Sequence, residues 1–202
     1  SAPPKEGMLR SRLTNEWVDE SVANTRPIAV MIPNEVNAVP HYNLSKASVV
    51  YETLVEGSMT RMMAIYENWD DLDKIGNIRS LRAYYAYWAF EWDAICIHFG
   101  GPFYINDVIG REDTQNINCI DYSKSSFRDT AKNSTDNAFT GSEQIMKAIE
   151  HYGYPTKYRE GYVEENHFRF APDSAPNTLA QYEDAIAAEL FTGVYNADAP
   201  DP

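Results

Sequence analysis

Apolar residues come in short runs divided by turn residues, and the runs predict the elements. In "RPIAVMIPN" the stretch from Pro27 to Ile32 is continuously apolar and stops at Pro33 and Asn34, which predicts a strand buried on both faces. "EVNAVPHYNLSK" reads as a loop. "ASVVYETLVEG" and "SMTRMMAIYEN" are rich in Val, Ile and Tyr and meet at Gly57 and Ser58, the pattern of a hairpin. The acidic "NWDDLD" then predicts a solvated turn. From Ser80 to Trp92 the chain lacks proline, glycine and β-branched residues, so a helix is expected with Ser80 as its cap. Tyr84, Tyr85, Tyr87, Trp88, Phe90 and Trp92 lie all round that helix, which predicts protein on most of its sides. "DAICIHFGG" supplies a further strand ending at Gly100 and Gly101.

The order strand, helix, strand predicts an α/β or α+β fold with a mixed, partly parallel sheet flanked by helices. A second helix is expected in "TGSEQIMKAIEHYGY", with Thr140 or Ser142 as cap and Gly153 as stop. "SAPPKEG" has the composition of a tether and "FAPDSAPNTLAQ" that of a linker. The expected organisation is a tether over residues 1–12, a domain over 13–170, and a linker with the start of a second domain over 171–202. The last stretch, from Tyr182 on, reads equally as strand or helix, and the natural chain is expected to continue. No internal repeat is visible.

Composition narrows the function classes. Of 202 residues, 44% are hydrophobic and 13% aromatic, which suits a folded chain with a sizeable core. Thirty acidic residues against 17 basic give a net charge of -13, a poor match for nucleic acid. No run approaches the length of a membrane span, and the opening residues lack the pattern of a signal peptide. Cys96 sits in an apolar setting and Cys119 in a more polar one; a disulfide between them stays open. The four histidines show no metal-ligand spacing, and neither metal nor cofactor is expected.

The chemistry concentrates around "KIGNIRSLRAYYAYWAFEW". If Ser80 caps the helix, Arg79 and Arg82 lie at the positive end of its dipole, where a cation is unwelcome unless an anion answers it. The answer is either an anionic ligand or a structural pair with Glu52 or Glu56. Arg61 interrupts an apolar strand and must reach the surface or find a partner. His98 ends its strand at the carboxyl edge, where ligands of open α/β sheets collect, although a lone buried histidine is more often a bonded core residue. Glu52 and Glu56, four apart, are commonly a solvated or salt-bridged pair. No Gly-x-Ser-x-Gly elbow is present, and "WDDLD" lacks the spacing and glycine of an EF-hand loop.

"WVDESVANTRPIAVMIPN", "VVYETLVEGSMTRMMAIY", "KIGNIRSLRAYYAYWAFEWDAICIHFGG" and "AFTGSEQIMKAIEHYGY", in this order, resemble the YerB-like family of predicted bacterial lipoproteins, whose domain has no known function. The resemblance implies export, a lipidated cysteine outside this sequence as membrane anchor, and a second, carboxyl-terminal domain. Its recurrent polar positions fall on Glu52, Glu56, Thr60, Arg61, Arg79, Ser80, Arg82 and His98. The chain departs from the family pattern at Pro33, where Asp or Asn is usual, at Ser58, where a second glycine is usual, and at Asn77, where proline is usual.

Three readings follow for the whole. The leading one is an extracytoplasmic, membrane-tethered binding module with an arginine-lined pocket for an anionic envelope component, built from Arg61, Arg79, Ser80 and Arg82 with Glu52, Glu56 and His98 nearby. The second is a phosphoryl-transfer or hydrolytic enzyme on an envelope substrate, with His98 or Glu52 as acid or base. In the third the arginines and glutamates only pair with each other, and the partner is a protein.

Overall fold

The apolar run after Arg26 becomes the strand around which the molecule is built. The structure is a computed structural model and describes residues 2–133, 135–163 and 167–186. In chain order the strands are β1 (Met8–Arg10), β2 (Trp17–Asp19), β3 (Ile28–Pro33), β4 (Val49–Leu54), β5 (Thr60–Tyr66), β6 (Ile75–Gly76), β7 (Ile95–His98), β8 (Asn116–Asn118), β9 (Phe127–Arg128) and β10 (Ala138–Thr140). The helices are α1 (Glu20–Ala23), α2 (Ala83–Phe90), α3 (Asn106–Ile109) and α4 (Ser142–Tyr152).

The main sheet has the order β4-β5-β3-β7-β8. β4, β5 and β3 are antiparallel neighbours, whereas β7 runs parallel to β3 on one side and to β8 on the other. This is the mixed, partly parallel sheet expected from the chain's pattern. The parallel partner of β7 is β3, one hairpin upstream of α2, rather than β5. β3 is buried at all six positions, as a strand with sheet on both sides and helices on both faces must be.

Alternation along the strands feeds two cores. Ile28, Val30, Ile32, Ile95, Ile97 and Ile117 face one way, toward α4 and the small β6-β10-β9 sheet. Ala29, Met31, Met63, Ile65 and Cys96 face the other way, toward α2 and α3. Cys119 belongs to the first core and Cys96 to the second, so both are free thiols and no disulfide links them. Burial pushes the Cys96 thiol up to about 12.

Two caps differ from expectation. α2 begins at Ala83 with Arg82 in the cap position, because the backbone of Arg79 to Leu81 is committed to the sheet. α4 is capped by Gly141, not by Thr140 or Ser142, and a side chain there would collide with the backbone oxygen of Asp73. Gly153 ends that helix in the left-handed conformation, as expected. The aromatic helix is covered on most sides, with Tyr87 half exposed. A two-stranded hairpin, β1 with β2, starts at Met8. The stretch 167–186 carries no helix or strand, and the end of the chain, expected as strand or helix, lies largely outside the described residues. No helix among the described residues is long and apolar enough to cross a membrane.

Candidate functional site

β3 and β7 pair over Ile28, Ala29 and Val30 and then part. The segment Arg79 to Leu81 enters the gap: Arg79 N–H donates to Met31 O, Phe99 N–H to Arg79 O, and Leu81 N–H to Gly100 O. A short extended piece is thus wedged between two parallel strands at their carboxyl ends, the edge at which open sheets bind ligands. The start of β5 and the end of β4 lie at the same edge, because both pair there with the end of β3 or with each other.

Arg61 opens this edge from β5, opposite Pro33 on one side and Thr53 on the other. It is only 4% exposed. One nitrogen, Nη1, donates to Ser80 O at 2.8 Å, while Nε is buried without a hydrogen-bond partner. No carboxylate pairs with it among the described residues. Burial lowers its pKa, and the nearby charges of Arg82 and Arg79 lower it further, while Glu35 and Glu56 oppose the shift without reversing it. The backbone beneath is fixed, since Tyr85 Oη donates to Arg61 O and accepts from Thr53 N–H.

Arg82 is differently placed. Its Nε donates to Glu56 Oε1 at 2.7 Å, its Nη2 to Oε2 at 2.5 Å, and its Nη1 to Leu81 O at 2.9 Å. The Arg82 bond holds the Glu56 carboxyl down to about 2, with a further bond from Tyr104 Oη. Burial alone would lower the Arg82 guanidinium, but Glu56 more than reverses this. The structural answer to the arginine question therefore holds for Arg82, whose partner is Glu56. Arg79 lies between the two cases: Nη2 stands 3.8 Å from Glu35 Oε1, Nη1 donates to Thr135 O, and Nε is buried and unpartnered.

The remaining candidates divide. Ser80 contributes its carbonyl to Arg61 and its hydroxyl to Phe99 O. Glu52 is exposed on β4 and accepts from Asn34 Nδ2, which also donates to Thr60 Oγ1. His98 is fully buried, with Nδ1 2.8 Å from Gly100 O and Nε2 3.0 Å from Asn116 Oδ1. Burial lowers its pKa against these two bonds. It is the bonded core residue, and no bond or ion pair joins it to the arginines among the described residues. The helix dipole drops out of the argument, since Arg79 and Ser80 precede α2 on extended chain.

Asn34 and Glu35 join the site without having been singled out in the sequence. Their signal was position: they follow the carboxyl end of a fully buried strand. Ser58 holds the tight turn between β4 and β5 at φ 57°, in the left-handed region that glycine adopts without cost.

Residues 13–155 match the family model described as "Protein of unknown function (DUF3048) N-terminal domain". The curated protein "Putative lipoprotein YerB" of Bacillus subtilis (strain 168) is 30% identical over 158 residues, covering 78% of this chain and 47% of the relative. The crystal structure of the Bacillus subtilis YerB protein superposes with a TM-score of 0.70 at 30% identity, over 75% of this chain and 52% of that one. The chain thus spans about half the length of the relatives it matches. With the resemblance read from its motifs now carried by most of its residues, the chain belongs to the family defined by the DUF3048 amino-terminal domain.

Proposed function

We propose that this domain is an extracytoplasmic binding module that takes an anionic group, phosphate or carboxylate, at the carboxyl edge of β3 and β7. The observation that carries the reading is Arg61: a guanidinium almost wholly buried, bonded through one nitrogen to a carbonyl, flanked by two more arginines and without a paired carboxylate among the described residues. Isolating a cation in this way costs several kcal/mol, about the loss seen when a buried pair is broken. A ligand oxygen would supply the missing charge. Arg82 is held in place by Glu56, and Arg79, 3.8 Å from Glu35 and bonded to Thr135 O, is the more loosely paired of the two.

The Bacillus relative is named a lipoprotein, which supports an exported, membrane-tethered setting and an envelope component as ligand. Turnover at this edge would need a proton-transfer group beside the anion; of the two expected, His98 has both ring nitrogens engaged elsewhere and Glu52 accepts from Asn34 Nδ2. Binding is therefore the better-supported reading.

The test is thermal unfolding with inorganic phosphate, pyrophosphate and citrate. At 100 times its dissociation constant a ligand adds about 2.7 kcal/mol to the folded state. A saturable rise in Tm is expected for at least one of these anions, reduced in Arg79→Ala and absent in Arg61→Met. If Arg61→Met responds as the wild type does, or no anion shifts the wild type, the reading fails.

A further inference from the structure

At the opposite end of β5 from Arg61 stands a group of the other sign. Glu67 directly follows the strand, about 20 Å along it from Arg61 at strand rise. It is 4% exposed, and its Oε1 is buried without a hydrogen-bond partner. No lysine or arginine pairs with it among the described residues. The phenol oxygen of Tyr158, close enough for Glu67 to influence its titration, is likewise buried and unpartnered.

Glu67 does not face a sealed interior. It lines a cleft of about 560 Å³ together with Glu16, Trp17 and Asp19, and an adjoining one of about 190 Å³ with Trp69 and Asp70. Val22, Glu67 and Asn68 are shared by both, so the two clefts adjoin at Glu67. Lys5 at its rim is taken up by Asp19 at 3.4 Å, and Lys46 stands at the same cleft. Burial raises the Glu67 pKa, Ser11 opposes this, and the charge of Glu16 raises it again. Two carboxyls lining one cleft, one of them with an orphaned oxygen, are complementary to a compact donor of positive charge.

We infer that this groove is a second binding site, for a ligand carrying a primary ammonium group, with Glu67 as its buried acceptor and Glu16 as the outer one. A divalent metal suits it less well, because no group of three metal-ligating side chains gathers among the described residues. The site is independent of the arginine edge and does not rest on the anion reading.

Ethanolamine and glucosamine are the probes, each against its N-acetyl counterpart, which keeps the shape and removes the charge. Trp17 and Trp69 at the groove supply a fluorescence readout beside Tm. Saturable changes are expected with the amines and not with the N-acetyl forms. Glu67→Gln is expected to weaken amine binding about tenfold or more, the usual worth of a charge-assisted hydrogen bond. Glu16→Gln, at an exposed position, is expected to weaken it severalfold, and it decides the matter if Glu67→Gln does not fold. Equal responses to amines and N-acetyl forms, no saturable response to either amine, or unchanged amine affinity in both variants would overturn the proposal.

Discussion

Glu56 and Arg61 show how two charged side chains at one edge of a sheet lead to different expectations. Glu56 is ionised and paired, its carboxyl held at about 2 against an ordinary 4.5, first by the Arg82 hydrogen bond. A carboxylate whose folded-state pKa is depressed contributes stability that is complete above the unfolded value. That contribution is lost as pH falls toward the folded one, so the window here runs from about 4.5 down to about 2. The Glu56 side chain is 59% exposed, and solvent screening keeps the pair to about 1 kcal/mol or less. Urea unfolding of Glu56→Gln is therefore expected to show a deficit of that size against the wild type at pH 7, and the two proteins converge near pH 2. A deficit that persists unchanged at pH 2 would mean that the pair acts through packing and not charge.

Among the elements, the buried clasp on Asp93 ties the chain beyond α4 to the sheet. Arg26 lies fully buried against Asp93, with Nη2 3.1 Å from Oδ1, and donates further to Asp93 O, Gln115 and Pro155 O. Arg159 binds the same carboxylate through its backbone N–H at 2.8 Å and its Nε at 2.7 Å. Burial draws the Arg26 pKa down to about 10 despite Asp93. Asp93→Ala leaves one guanidinium wholly buried and a second mostly so, with no carboxylate, and a loss of about 3–5 kcal/mol is expected in chemical denaturation. Protease cleavage after Lys157 or Arg159 should rise in parallel. At α4 the constraint is steric: a Cβ on Gly141 would sit 2.2 Å from Asp73 O, with φ in the ordinary extended range. Gly141→Ala is expected to cost about 1–3 kcal/mol through displaced backbone, measurable by the same method. A neutral result there would show that the 72–73 turn gives way freely.

For the whole molecule, the hydrophobic pattern carried most of the fold. The doubly buried run before Pro33, the hairpin meeting at Gly57 and Ser58, and the glycine stop at Gly153 all translated directly into structure, because each rests on local burial or backbone geometry. The start of α2 did not. Ser80 has the side chain of a cap, but hydrogen bonds to Met31, Phe99 and Gly100, all remote in sequence, hold its neighbours in the sheet. The site was legible as a set of residues and not as a set of roles. Sequence could place Arg61, Arg79 and Arg82 near one another, yet which of them Glu56 takes depends on the strand register. Glu35 and Glu67 carried no signal beyond lying near the ends of buried strands.

The account turns on Arg61 being kept for a ligand and not for the fold, and the most direct measurement is the unfolding free energy of Arg61→Met without added anion. Met fills much the same space and removes an unpaired buried charge at the expense of one hydrogen bond to Ser80 O. The variant is predicted to be as stable as the wild type or more stable, by up to about 4 kcal/mol, while losing the response to phosphate, pyrophosphate and citrate. A variant destabilised by more than about 2 kcal/mol, beside a wild type indifferent to these anions, would contradict it and make Arg61 a structural residue.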